Sequence, residues 1–95
     1  RQRAEPLADL IMGRLNRPDG RRFRRPARRR DIGYLAADVD ALCAQLAEHL
    51  RVSEHPHPGA VRTSAFREGT GTRAYDEAQV DAFLERVQEL IQLIR

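Results

Sequence analysis

The sequence predicts an all-α protein of short helices, two of them parallel-type amphipathic helices that belong to a tandem repeat, with a long loop before each. Three observations predict it. The chain repeats itself: residues 34–46 (Tyr-Leu-Ala-Ala-Asp-Val-Asp-Ala-Leu-Cys-Ala-Gln-Leu) align with residues 75–87 (Tyr-Asp-Glu-Ala-Gln-Val-Asp-Ala-Phe-Leu-Glu-Arg-Val) at a constant offset of 41. The shared frame is Tyr-x-x-Ala-x-Val-Asp-Ala-(Leu/Phe)-x-x-x-(Leu/Val). In each copy the apolar positions then step by four, three and four, through Val39, Cys43, Leu46 and Leu50 and through Val80, Leu84, Val87 and Ile91. That is the 3.5-residue seam by which helices pack side by side. Finally, the segments between these stripes are rich in Pro and Gly. Two copies of a unit that needs a neighbour to bury its apolar face point to a binding or assembly module.

The elements follow in chain order. Leu7, Leu10, Ile11 and Leu15 fall at helical spacing and predict a short helix over Glu5–Leu15, which the breaker cluster Asn16-Arg-Pro-Asp-Gly20 ends. Residues 21–31 read as a basic loop carrying Phe23 and Pro26. The second helix should run from about Leu35 to Leu50, with Val39, Leu42, Cys43, Leu46 and Leu50 as its apolar stripe. In the 51–74 link, His55-Pro-His-Pro-Gly59 excludes a helix interior, Val61–Phe66 predicts one helical turn, and Gly69–Thr72 predicts a flexible loop. The third helix should run from about Asp76 to Ile94, with Val80, Phe83, Leu84, Val87, Leu90, Ile91 and Ile94 on one side. Asp76 stands at its N-cap and Gln79 at the capping-box position. Two heptads are too few for a stable isolated coiled coil, and the link is long enough for a parallel or an antiparallel pair. The organisation is an N-terminal helix and linker over 1–19, a first repeat over 20–50, a linker over 51–60 and a second repeat over 61–95.

At 95 residues the chain is one small domain or a tandem of two half-domains, with a modest core that association would help. Aromatics make up 5% and Trp is absent, which argues against a base-stacking platform. No apolar run suits a transmembrane span or a signal-peptide core. The first residue is Arg1, which suggests a fragment or a processed start. The single cysteine, Cys43, has no partner for an internal disulfide, so a reducing, cytoplasmic setting is expected. The formal net charge of +3 conceals an asymmetry: residues 1–30 hold eleven arginines against three acids, a net +8, and residues 31–95 carry −5. Every basic side chain is Arg. GC-rich coding explains that simply, and selection for bidentate phosphate contacts explains it more sharply.

The sequence predicts a non-enzymatic protein without catalytic, cofactor or metal site. His49, His55, His57 and Cys43 match no ligand spacing. Cys43 stands on a seam, where the other copy has Leu84, so a buried thiol is expected. Gly69-Thr-Gly71 lacks the Lys and the preceding strand of a phosphate loop. Asp40 and Asp81 lie beside Val39 and Val80 near a helix start, where a carboxylate suits the dipole. They are expected to accept hydrogen bonds from loop backbone or from an arginine such as Arg73. Tyr34 and Tyr75 are expected to pack on the first turn of the helix that follows.

Residues 75–87 closely resemble the N-terminal domain of DivIVA-type bacterial proteins, whose pattern is Arg-Gly-Tyr-Asp-x-x-x-Val-Asp-x-Phe-Leu with an upstream Phe. Phe66 looks like the upstream Phe, Arg73 like the motif Arg, and Tyr75, Asp76 and Asp81 fit the rest; Ala74 replaces Gly. The first copy is looser, with Phe23-Arg-Arg-Pro26, Gly33-Tyr34 and Val39-Asp40-Ala41-Leu42. There Leu35 replaces the Asp and Ile32 the Arg. The resemblance covers roughly residues 20–50 and 61–90. It implies a cytoplasmic scaffold of the cell-division or polar-growth type, peripheral at the inner face of the membrane. Such a scaffold would act through helix-mediated self-association, either as a homo-oligomer or by pairing of its repeats within one chain. In the family an apolar and a basic loop residue touch the membrane. Thr72 holds the apolar position here, and the loop arginines Arg21, Arg22, Arg24, Arg25, Arg28, Arg29 and Arg30 would substitute by charge, at about 1 kcal/mol each. Phe23 and Phe66 are expected to face the same membrane or partner. The alternative is a small nucleic-acid-associated protein using the arm at 21–30; the absence of a recognition helix and the acidic remainder argue against it.

Overall fold

The computed structural model describes residues 4–52 and 66–94. It corrects the all-α expectation: three helices are joined by a three-stranded antiparallel sheet, an α+β fold. Helix α1 spans Ala4–Leu15, α2 spans Ala36–Val52 and α3 spans Glu77–Ile94, close to where the apolar periodicity places them. The strands lie in segments expected to be loop. Strand β1 is Ile32–Leu35, β2 is Glu68–Thr70 and β3 is Ala74–Tyr75. A single 3-10 turn, Gly71–Arg73, joins β2 to β3, so Gly69–Thr72 is ordered by the sheet and this turn. The expected helical turn at Val61–Phe66 lies outside the described residues except for Phe66.

Strand β1 is central and antiparallel to both neighbours. Against β2 the register is Ile32↔Thr70, Gly33↔Gly69 and Tyr34↔Glu68; against β3 it is Tyr34↔Tyr75 and Leu35↔Ala74. Tyr34 and Tyr75 are equivalent residues of the two repeats. An antiparallel pair in which equivalents face each other places a local two-fold axis between them, the symmetry of an isologous dimer inside one chain. Gly33 makes the approach possible, because a Cβ there would fall on the backbone carbonyl of Tyr75. The sheet is asymmetric for a reason visible in the sequence. Pro26 in the first loop stands where Gly69 stands in the second, counting from Phe23 and Phe66, and proline cannot donate to a ladder.

Both seams enter one core. Val39, Cys43, Leu46, Val80, Leu84, Val87, Leu90 and Ile91 are buried together with Ile11 and Leu15 of α1 and with Phe23 and Tyr75. Leu42, Leu50 and Phe83 are half-buried against it. Helix α1 packs on both α3 and α2, more closely than those two approach one another. The simple two-helix seam is thus a three-helix arrangement. Leu10, expected on the apolar face of α1, is 64% exposed.

Gly33→Ala should push β1 from β3 and lower stability by about 3 kcal/mol or more. Gly13→Ala, in α1 with open space around it, should raise stability by roughly 0.5–1 kcal/mol. Urea denaturation midpoints of the two variants test this, and an unchanged midpoint for Gly33→Ala would show that the strand contact carries no weight.

Candidate functional site: exchanged loops and a basic groove

Each repeat completes its partner. The Tyr34 hydroxyl donates to Asp81 Oδ1 at 2.7 Å, and the Tyr75 hydroxyl donates to Asp40 Oδ1 at 2.8 Å. The tyrosine of one copy thus finds the aspartate of the other. The upstream phenylalanines follow the same exchange. Phe23 packs edge-on to Tyr75 with centroids 5.3 Å apart, and Phe66 packs edge-on to Tyr34 at 5.1 Å. Phe23 also meets Phe83 edge-on and carries the Arg14 guanidinium over its ring. These contacts correct the expectation that both phenylalanines face membrane or partner: Phe23 is buried, and Phe66 is half-buried against Tyr34. The tyrosines likewise reach across to the other repeat's helix.

The backbone exchange is equally regular. The Asp76 N–H donates to the Arg24 carbonyl at 2.8 Å, and the Leu35 N–H donates to the Arg67 carbonyl at 2.7 Å. The Arg24 N–H donates to Gln79 Oε1 at 2.6 Å, and the Arg67 N–H donates to Asp38 Oδ2 at 2.9 Å. The arginine backbone of each Phe-Arg pair therefore bridges the free N–H of the residue before the other copy's helix and a side-chain oxygen of that helix's third residue. Asp76 does cap α3, accepting from the Gln79 N–H at 3.1 Å. Gln79, however, turns to the Arg24 backbone instead of closing a capping box. Arg24 reaches Asp76 through Nε and Nη2, and Arg67 reaches both oxygens of Asp38. The Arg67 guanidinium, helped by its own N–H, holds the Asp38 carboxyl down at about 2, against an ordinary 3.8.

Asp40 has a second layer that Asp81 is not given. Its Oδ1 also accepts from Arg22 Nη1 at 3.0 Å, and its Oδ2 accepts from the Gly20 N–H at 2.8 Å. Arg22 donates further to Asp19 at 2.6 Å and to the Leu15 carbonyl at 3.2 Å. Arg22 is buried, which corrects its assignment to a partner-facing loop. Burial, then the bond to Asp40, pushes the Tyr75 phenol up to about 12. Burial likewise pushes the Cys43 thiol up to about 12, so this seam cysteine is no thiolate nucleophile at neutral pH. Asp40 and Asp81 do accept hydrogen bonds, but the arginine involved is Arg22 and not Arg73.

Arg21, Arg25, Arg28, Arg29, Arg30 and Arg73 are exposed. Arg25, Arg29 and Arg73 line one open groove of about 490 Å3 between the two pre-helix loops. Gly71, with φ at +57°, lies so close to the first loop that a Cβ added there would stand 3.1 Å from the Arg29 carbonyl. Ile32, at the end of β1, is 56% exposed. Among the described residues no group of His, Cys, Asp and Glu is placed to hold a metal, and His55 and His57 lie outside those residues. Reading by single residues missed Arg67 and Asp38. The Phe-Arg dipeptides at 23–24 and 66–67, offset by 43, carry the signal for both.

No protein-family model, no curated protein and no solved structure matches this chain.

Removing Asp40 leaves the buried Arg22 with only the exposed Asp19 as counter-charge and the buried Tyr75 hydroxyl without its acceptor, so Asp40→Ala should cost about 3 kcal/mol, and Asp81→Ala about 1 kcal/mol. Equal costs in chemical denaturation would contradict this asymmetry. The depressed Asp38 value gives a pH signature. Its contribution is fully present above the ordinary value of 3.8 and disappears as pH falls through about 2. The stability difference between wild type and Asp38→Asn should therefore close across that window; a gap that persists below it would disprove the Arg67 pairing.

Proposed function

We propose that this chain is a non-enzymatic adaptor whose two DivIVA-like repeats pair within one molecule and turn a single basic face towards an anionic surface. The observation that carries the reading is the reciprocal tyrosine–aspartate exchange, Tyr34 to Asp81 and Tyr75 to Asp40. It is the arrangement expected of a symmetric dimer whose two halves have become one chain. The motif tyrosines and aspartates are engaged in this exchange, so they act as architecture. What remains for partners is the loop face, where Arg25, Arg28, Arg29, Arg30 and Arg73 are exposed, as is Ile32 at the end of β1. Exposed arginines together with an exposed apolar side chain suit the inner surface of a bacterial membrane, where anionic lipid attracts basic side chains. No helix among the described residues is long and apolar enough to cross a membrane. Contact at the surface, from the cytoplasm and alongside the division or growth proteins that the resemblance implies, fits these features. The DivIVA-like reading supports an adaptor more than a polymerising scaffold, because the seam residues are already covered within the chain.

Molar mass by light scattering, with and without anionic liposomes over a salt series, tests the proposal. The expected result is the mass of one chain, co-sedimentation at low salt and release as salt screens the arginines. A dimer would mean that the repeats pair between chains. Salt-sensitive binding to duplex DNA, with liposomes ignored, would favour the nucleic-acid reading.

A further inference from the structure

Three of the exposed arginines differ from the rest in where they meet. Arg25 and Arg29 come from the first pre-helix loop and Arg73 from the second, and all three line the same groove, together with Thr70 and Thr72. No carboxylate lines it. The ion pairs formed among the described residues engage Arg22, Arg24, Arg67 and Arg86 and leave these three out. Gly71 lets the two turns lie close, since a side chain at its φ of +57° would be strained and would crowd the Arg29 carbonyl. Like charges gathered without a counter-charge repel one another, and a bound anion relieves that repulsion.

We infer that this groove seats a phosphate monoester dianion. A carboxylate offers two oxygens in one plane and suits a single guanidinium fork. A phosphate monoester offers three terminal oxygens in a tetrahedral arrangement, which suits forks arriving from separate backbone segments. The hydroxyls of Thr70 and Thr72 add neutral donors at the rim. The inference rests on reading this face as the anion-facing one, and adds the chemical group and its position. It also gives the intramolecular pairing a consequence: the seat exists only when both loops are brought together, because neither loop contributes all three arginines.

The test is a titration of the full, isotopically labelled chain with phenyl phosphate at low salt, followed by amide chemical shifts. Shift changes should centre on residues 25–29 and 70–73. The double variant Arg29→Gln/Arg73→Gln should weaken binding roughly tenfold. Arg17→Gln/Arg21→Gln removes the same charge outside the groove and should change binding less than about twofold. All four side chains are exposed, so circular dichroism should be unaltered in both variants. Shifts scattered over the basic surface, or equal weakening by the two pairs, would overturn the seat; liposome binding that survives in that case would leave the basic-face reading intact. Competition between phenyl phosphate and phosphatidic acid vesicles would place the phosphate on a lipid. Undiminished phenyl phosphate binding in their presence would place it on a soluble ligand. Either result supports the seat.

Discussion

The fold depends on one requirement: each repeat's tyrosine hydroxyl must reach the aspartate of the other repeat. A phenol taken out of water needs a hydrogen-bond partner, and Tyr75 is almost wholly buried. Satisfying it with Asp40 forces the loop ahead of α3 to cross to the start of α2. The same holds in reverse for Tyr34 and Asp81. Crossing sets the two tyrosines opposite each other in the sheet, which in turn requires Gly33 at the closest backbone approach. The phenylalanines pack on whichever tyrosine has crossed to them, and the backbone of the following arginine then bridges the N–H before the other helix and a side chain on its first turn. Packing, sheet register and helix capping are consequences of the same exchange.

Around this symmetric frame the two copies have diverged in ways that chemistry explains. The first loop carries Pro26 where a ladder donor would be needed, and so remains irregular. It has two more residues than the second between upstream Phe and Tyr, and β1, which pairs on both sides, runs to four residues against two in β3. The first copy also gained a charged interior. Arg22, closed in by α1, is neutralised by Asp40 and Asp19 and hydrogen-bonded to the last carbonyl of α1. A buried ion pair of this kind contributes little net stability but penalises any arrangement that separates its partners. It ties α1, the first loop, α2 and β3 to one position, and so breaks the pseudo-symmetry in favour of a single docking of α1.

The helices were legible because periodicity is local. Val39, Cys43 and Leu46, and Val80, Leu84 and Val87, mark buried stripes whatever lies opposite them. The sheet was not legible, because none of its strands looks like one. Ile-Gly-Tyr-Leu, Glu-Gly-Thr and Ala-Tyr are short and without an alternating pattern, the first two interrupted by glycine, and they pair only because the loop exchange aligns them. The site was partly legible for the same reason. Tyr34, Asp40, Tyr75 and Asp81 stood out by repetition, yet nothing within one copy tells a tyrosine that its aspartate lies in the other. Arg22 looked like one more member of a basic run; only its distance from Asp40 distinguishes it from Arg21.

Fusing two pairing units into one chain changes what the motif is free to do. In separate chains the exchange is an association step that depends on concentration; within one chain it becomes a folding step with an effective concentration in the millimolar range. The seams of α2 and α3 are buried in the described structure, and α1 packs against both, so the surface that would drive assembly is already occupied. The large apolar side chains exposed among the described residues, Leu10, Ile32 and Leu93, are scattered over three elements and do not form a stripe. Specific contacts with other molecules then fall to charge. Four acids are engaged by Arg22, Arg24 and Arg67 within the exchanged loops, so the arginines beyond those pairs determine what the loop face attracts. On the proposed reading, a module built by doubling turns a self-association motif into a mount for a basic surface.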